Sequence, residues 1–225
     1  MDTRKALVLV GDSAFAEVAY EYFTHDSPYR VAGFSVERAY LKRERLFGLP
    51  VVPFEEVQTH FDPAHHDLFA AVVYTRMNRL RARLCQEAKA KGYTLASYVS
   101  SKAFVWRNVH LGEHCFIFEN NVVQPFVKLG DNVILWSGNH IGHHSEIKDN
   151  CFISSHVVLS GFVCVGENSF LGVNSSVSNN RTIGRDCWVG PGVTIAQDAP
   201  EGSLYNLDKV TPSRVSSLRF FKVAS

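Results

Sequence analysis

No apolar stretch in this 225-residue chain approaches the ~18 residues of a membrane-spanning helix. Nor is there an excess of charge: the net charge is +1, so no long-range field calls for nucleic acid or an anionic membrane. Cysteine is sparse and unpaired. The five residues Cys85, Cys115, Cys151, Cys164 and Cys187 are an odd number and form no C-x-x-C, which excludes a disulfide framework and a zinc ribbon. Free thiols of this kind predict a reducing cytoplasm. Nor is a signal peptide expected: after Met1–Lys5 the apolar run Ala6–Val10 is too short for one, and Gly11-Asp12 ends it. The basic clusters Lys42-Arg43-Glu44-Arg45 and Arg79-Leu80-Arg81-Ala82-Arg83 are interrupted by acidic or apolar residues and read as solvated helix faces. With 46% hydrophobic and 20% charged residues, what remains is the composition of a globular protein rather than a disordered one.

What is present is a period of six. From Val105 to Ile195 every sixth residue is Val, Leu or Ile, sixteen in succession without a slip. An α-helix cannot keep every sixth residue on one face, and a simple strand repeats every second. A hexapeptide repeat predicts a parallel β-helix. Each hexapeptide forms a short strand and a turn, three complete a coil of eighteen residues, and the aliphatic points inward. Each buried aliphatic contributes about 1.5–3 kcal/mol before entropy. Glycine recurs just after the aliphatic (Gly112, Gly130, Gly142, Gly166, Gly172, Gly184, Gly190), as a tight corner requires. Small residues recur four after it (Cys115, Ser145, Cys151, Ser169, Ser175, Cys187), which makes the cysteines among them filler for a narrow interior.

Residues 1–100 follow another pattern. Strands are expected at Ala6–Val10, Tyr29–Ser35, Leu49–Val52, Leu68–Thr75 and Tyr93–Val99. Helices are expected at Phe15–Phe23 and Met77–Lys91, the second ending at Gly92. Alternating strands and helices predict a small parallel α/β sheet, whose ligands sit beyond the carboxyl ends of its strands. Gly11, Asp12 and Ser13 end the first strand, Ser35 and Glu37 the second, and Tyr74 and Thr75 the fourth; these are the candidate substrate-binding residues. A phosphate would lie on the N-terminus of the first helix, although a full G-x-G-x-x-G is lacking.

The two halves together resemble the sialic acid O-acetyltransferase family of sugar acyltransferases, which includes N-acetyltransferases for nucleotide-linked 4-amino sugars of the bacillosamine type. The resemblance is densest in Ile134–Ser145, and continues through Asn150–His156 and Phe170–Asn174. It implies a Rossmann-like nucleotide-sugar domain at 1–100 and a left-handed parallel β-helix acyltransferase domain with a C-terminal tail at 101–225. It further implies a homotrimer with active sites between prisms, acetyl-CoA as co-substrate, no metal, and a place in bacterial surface glycan synthesis. Two departures stand out. The Gly-Gly-His-type turn after the first strand is Gly11-Asp12-Ser13, and the customary Gly-x-Pro-Ala near the C-terminus is Tyr205-Asn206-Leu207-Asp208-Lys209.

Acyl transfer needs a base, a donor for the developing oxyanion and a groove for the pantetheine arm. His143 lies two residues after inward Ile141, hence on an outward corner, and the family's general base falls at this position. Imidazole is the side chain that titrates closest to neutrality. One coil above stands Gly161, whose N–H is the candidate oxyanion donor. The same arithmetic stacks Phe126, His144 and Phe162, and sets Asn121 beneath Asn139. Related enzymes support the base with an acidic residue, whose place His144 takes here; Asp131, Glu146 and a neighbouring chain's carboxylate are other candidates, as is a base acting unaided. For coenzyme A the candidates are Ser154, Ser155, Gly172, Val173 and Gly190, read as lying above His143. Trp136 is a candidate to pack on a ligand or at an interface.

Three other readings stay open. One base can deprotonate a hydroxyl as well as an amine, so O-acetylation of a sialic-acid-like sugar remains. A γ-carbonic-anhydrase-like metal lyase uses a similar prism, but would need a third ligand beside His140 and His143 at coil spacing. A non-catalytic nucleotide-sugar-binding protein would bind without turnover.

Overall fold

The computed structural model describes residues 5–207, 215 and 217–220. Met1–Arg4 of the N-terminal reading and Asp208-Lys209 of the altered tail motif lie outside them.

The front part is a five-stranded sheet in the order β3-β4-β2-β1-β5, comprising β1 (Lys5–Val10), β2 (Tyr29–Val36), β3 (Arg45–Leu46), β4 (Leu49–Pro53) and β5 (His66–Ala70). All neighbours are parallel except β3 and β4. Helix α1 (Ala14–His25) buries Phe15, Ala16, Ala19 and Phe23; α2 (Val57–His60) is a single turn; α3 (Arg79–Ala90) follows β5.

Several expectations shift. The strand expected to reach Thr75 stops at Ala70, and a turn with three consecutive left-handed residues, Arg76, Met77 and Asn78, delays the helix to Arg79. The strand expected over Tyr93–Val99 shrinks to a bridge from Leu95 to Leu68 and the pair Tyr98–Val99, which belongs to the prism. Lys42–Glu44 is irregular and Arg45 opens β3, so that basic cluster is no helix face. In α3, Arg79 pairs with Asp186 and Arg83 with Glu37 and Glu87, but Arg81 is fully buried.

From Tyr98 onward eighteen two-residue strands form three parallel sheets of seven, six and five strands, each strand pairing with the one eighteen residues on through most of the prism. The aliphatics point inward and are almost all fully buried. Cys115 and Cys151 lie among them, their thiols pushed up to about 12 by burial, which keeps them protonated and inert. Asn121 and Asn139 are buried too and donate to the Trp136 carbonyl, as internal ladders do. At the corners every sixth residue from His114 to Gly192 has positive φ, and six of these are asparagines, the non-glycine residue that tolerates this region well. The glycine after the aliphatic is crowded by the next coil: a Cβ on Gly142 would lie 2.5 Å from the Ser160 carbonyl carbon.

The three faces differ in what they point outward. One presents Tyr98, Phe116, Ile134, Phe152, Phe170 and Trp188, and the front part docks on it; Phe15 of α1 packs 5.7 Å from Phe116 and 5.4 Å from Trp136. Trp136 is thereby part of a shared core. The second, polar face presents His110, Lys128, Glu146, Cys164 and Thr182. The third is bare among the described residues and presents Phe104, Val122, His140, Val158, Ser176 and Thr194, with Phe104 52% and Val158 42% exposed.

Candidate active site

His143 stands on the corner between the bare and polar faces, exposed to solvent. Its backbone N–H donates to Gln124 Oε1 at 2.8 Å, which fixes the corner from the coil below. Its ring lies over Gly161: a Cβ there would sit 2.7 Å from His143 Cε1 and 2.9 Å from Nε2. The eighteen-residue register therefore places Gly161 as read from the sequence, and Gly161 is buried. Its N–H is already engaged, however, donating to Asn179 Oδ1 at 2.8 Å.

His144 is held between two phenyl rings, with centroids 4.6 Å away for Phe126 and 4.8 Å for Phe162, both close to parallel. That clamp turns its Nδ1 to within 3.2 Å of His143 Nδ1. With His144 as acceptor, the His143 proton resides on Nδ1 and the Nε2 lone pair is free to act as a base. The carboxylates considered for this task are occupied or turned elsewhere: Asp131 accepts from the Glu113 N–H on another corner, and Glu146 points outward on the polar face.

The expected coenzyme residues lie elsewhere. Ser154, Ser155, Gly172, Val173 and Gly190 line the corner between the docked and bare faces, because the twenty-nine residues from His143 to Gly172 are not a whole number of coils. Gly172 and Gly190 are buried, crowded by Pro191 and by Asn206 respectively, while Val173 is exposed. The residues above His143 are Gly161, Asn179 and Gln197, which sequence reasoning missed beyond the first. The other histidines do not converge on it: His140 points from the bare face, and His156 sits against Gly138 on the next corner. Among the described residues no group of three His, Cys, Asp or Glu side chains is arranged to hold a metal.

A second site forms in the front part. A recess of about 240 Å³ opens at the carboxyl ends of β1 and β2 and beside α3, lined by Gly11, Asp12, Ser13, Glu37, Tyr40 and Thr75 among others. Ser13 is the N-cap of α1 and makes no side-chain cap hydrogen bond, so the start of that helix borders the recess. Five of the seven expected residues gather here. Ser35 does not: it is fully buried in the sheet. Tyr74 instead packs on Phe152, Phe170 and Trp188 of the docked face.

The bacterial transferase hexapeptide (six repeats) model matches residues 108–143 and 128–161. None of the curated protein sequences matches. Among solved structures, perosamine N-acetyltransferase from Caulobacter crescentus, a histidine-to-asparagine mutant in complex with CoA and GDP-perosamine, superposes with a TM-score of 0.80. It is 26% identical, over 88% of this chain and 92% of that one. A second structure of that enzyme, with the same histidine changed to alanine, gives 0.79 at 26% identity over the same shares. The acetyltransferase domain of PglB from Neisseria gonorrhoeae gives 0.80 at 23% identity, over 89% and 96%. These likenesses extend over both parts of the fold and make the prism left-handed. With its repeat, its docked α/β part and these neighbours, the chain is similar to the hexapeptide-repeat sugar acyltransferases.

Proposed function

We propose that this protein transfers the acetyl group of acetyl-CoA to the amino group of a nucleotide-linked sugar, with His143 as general base. The observation that carries the reading is the pairing of a solvent-facing imidazole, oriented by His144, with the backbone N–H of Gly161 one coil above. The amine nitrogen attacks the thioester carbon and His143 Nε2 takes its proton. The carbonyl oxygen becomes an oxyanion that accepts from Gly161 N–H. The C–S bond then breaks, and the thiolate leaves and recovers the proton from the imidazolium.

In this reading residues 1–100 hold the nucleotide sugar in the recess at Gly11–Ser13, Glu37 and Thr75, and residues 101–225 hold the acyl donor along the His143 corner. The docked face lies across the prism from that corner. Sugar bound to the front part of one copy therefore meets the base of another, and the bare face, with exposed Phe104 and Val158, suits such an assembly. A homotrimer working in the cytoplasm, in bacterial surface glycan synthesis, is the setting proposed; the free thiols suit a reducing compartment.

The test is thiol release from acetyl-CoA across UDP-, dTDP- and GDP-linked amino sugars. Release with one of them is expected, falling on the order of 10²–10⁴-fold in His143→Ala. A folded His143→Ala protein with undiminished turnover would remove His143 from the role.

A further inference from the structure

The Gly161 N–H that would receive the oxyanion is satisfied by a side chain. Asn179 Oδ1 lies 2.8 Å from it, within the ~2.7–3.1 Å at which an oxyanion would sit. Asn179 stands one coil above Gly161 in the same column and is exposed, so its amide can swing outward into water. Gly161 is buried, with the His143 ring against its Cα, so an acceptor can approach that N–H only from where Asn179 now stands.

Resting on the acyl-transfer reading, we propose that Asn179 is a displaceable latch on the oxyanion-binding amide. Its carboxamide oxygen occupies the acceptor position that the thioester oxygen takes over when acetyl-CoA binds. Binding is then an exchange of one neutral carbonyl for another, worth little in the ground state. The charged oxyanion makes a hydrogen bond roughly twice as strong as a neutral acceptor. The gain from Gly161 is thus reserved for the tetrahedral state, where it accelerates the reaction instead of tightening the resting complex. The latch also keeps the buried N–H paired, since an unpaired one costs about 1–3 kcal/mol.

Coenzyme A itself separates this role from a merely structural one, because it carries the same arm without the thioester oxygen. The affinities of acetyl-CoA and CoA are measured by calorimetry for the wild type, Asn179→Ala and the isosteric Asn179→Asp. Removing the latch should raise the preference for acetyl-CoA over CoA by about 3–10-fold, the worth of one net hydrogen bond. Asn179→Asp, a stronger acceptor, should lower that preference; any general repulsion of the anionic coenzyme cancels in the ratio. Binding of both ligands with a ratio unmoved in both variants overturns the latch and leaves the acyl-transfer reading standing. Absence of acetyl-CoA binding to the wild type overturns both.

Discussion

At position 161 a single methyl group decides whether His143 can stand where it does. Its Cβ would lie 2.7 Å from an imidazole carbon, so Gly161→Ala must push the ring aside. Misplacing a reacting group by about 1 Å costs on the order of 10²-fold. Gly161→Ala should therefore lose kcat on that scale while melting close to the wild type, because the displaced ring is exposed. An alanine enzyme with wild-type kcat would show that the ring's position does not matter. His143, Gly161 and the Phe126–His144–Phe162 column were legible because stacking is simple addition of eighteen. Asn179 obeys the same addition two coils up, yet its bond to Gly161 depends on a side-chain rotamer, which spacing does not report. The coenzyme candidates, expected above His143, lie on another corner: glycines look alike on all three corners, and only coil arithmetic separates them.

Helix α3 shows what a sequence conceals about an element. Its basic run reads as a solvated face, yet Arg81 is buried against the prism, donating to the uncharged acceptors Asn132 Oδ1 at 2.8 Å and Asn78 Oδ1. Burial pulls its guanidinium down to about 10, which leaves it charged at neutrality. Beside it His114 is fully enclosed. Its Nε2 accepts from the Ala70 N–H at the end of β5, and its Nδ1 meets the same Asn132 oxygen. Desolvation, with Arg81 adding to it, lowers this imidazole to about 3. In the unfolded chain it protonates near its usual ~6.5. Its contribution to stability is thus complete above that value and is lost as pH falls from about 6.5 toward 3. Melting temperatures of the wild type should fall across this window, and those of His114→Gln, though lower throughout, should fall less steeply. Equal slopes would mean that His114 is not the acid-sensitive joint. None of this network was legible: α3 and the coils it touches are some fifty residues apart in the chain, and the delaying turn at Arg76–Asn78 contains no glycine to announce it. The asparagines of the corners were legible in principle, recurring at six-residue spacing three after the aliphatic.

For the whole molecule, the docked face and the base corner lie across the prism from each other, so in the proposed assembly each protomer would supply half of two sites. Two crippled proteins should then repair one another. His143→Ala lacks the base, and Thr75→Trp fills the recess at the front. Each alone should be inactive, and co-expressed they should regain activity, up to about a quarter of wild type for random mixing in a closed ring. Mixed assemblies that stay inactive would place both halves of the site within one chain. The broad architecture was open to reading because sixteen aliphatics in register admit one solution; the orientation of the front part was not, since the outward residues that receive it, Tyr98 to Trp188, recur every eighteen residues but their spacing does not say what covers them. The prism is also a ruler. Parallel strands stack about 4.8 Å apart, so the column from His143 through Gly161 and Asn179 to Gln197 is graduated in steps of one coil, about 14 Å from first mark to last. On the proposed reading the reach of an acyl donor along that edge is measured in whole coils, so lengthening or shortening it would take the insertion or loss of a complete coil rather than of single residues.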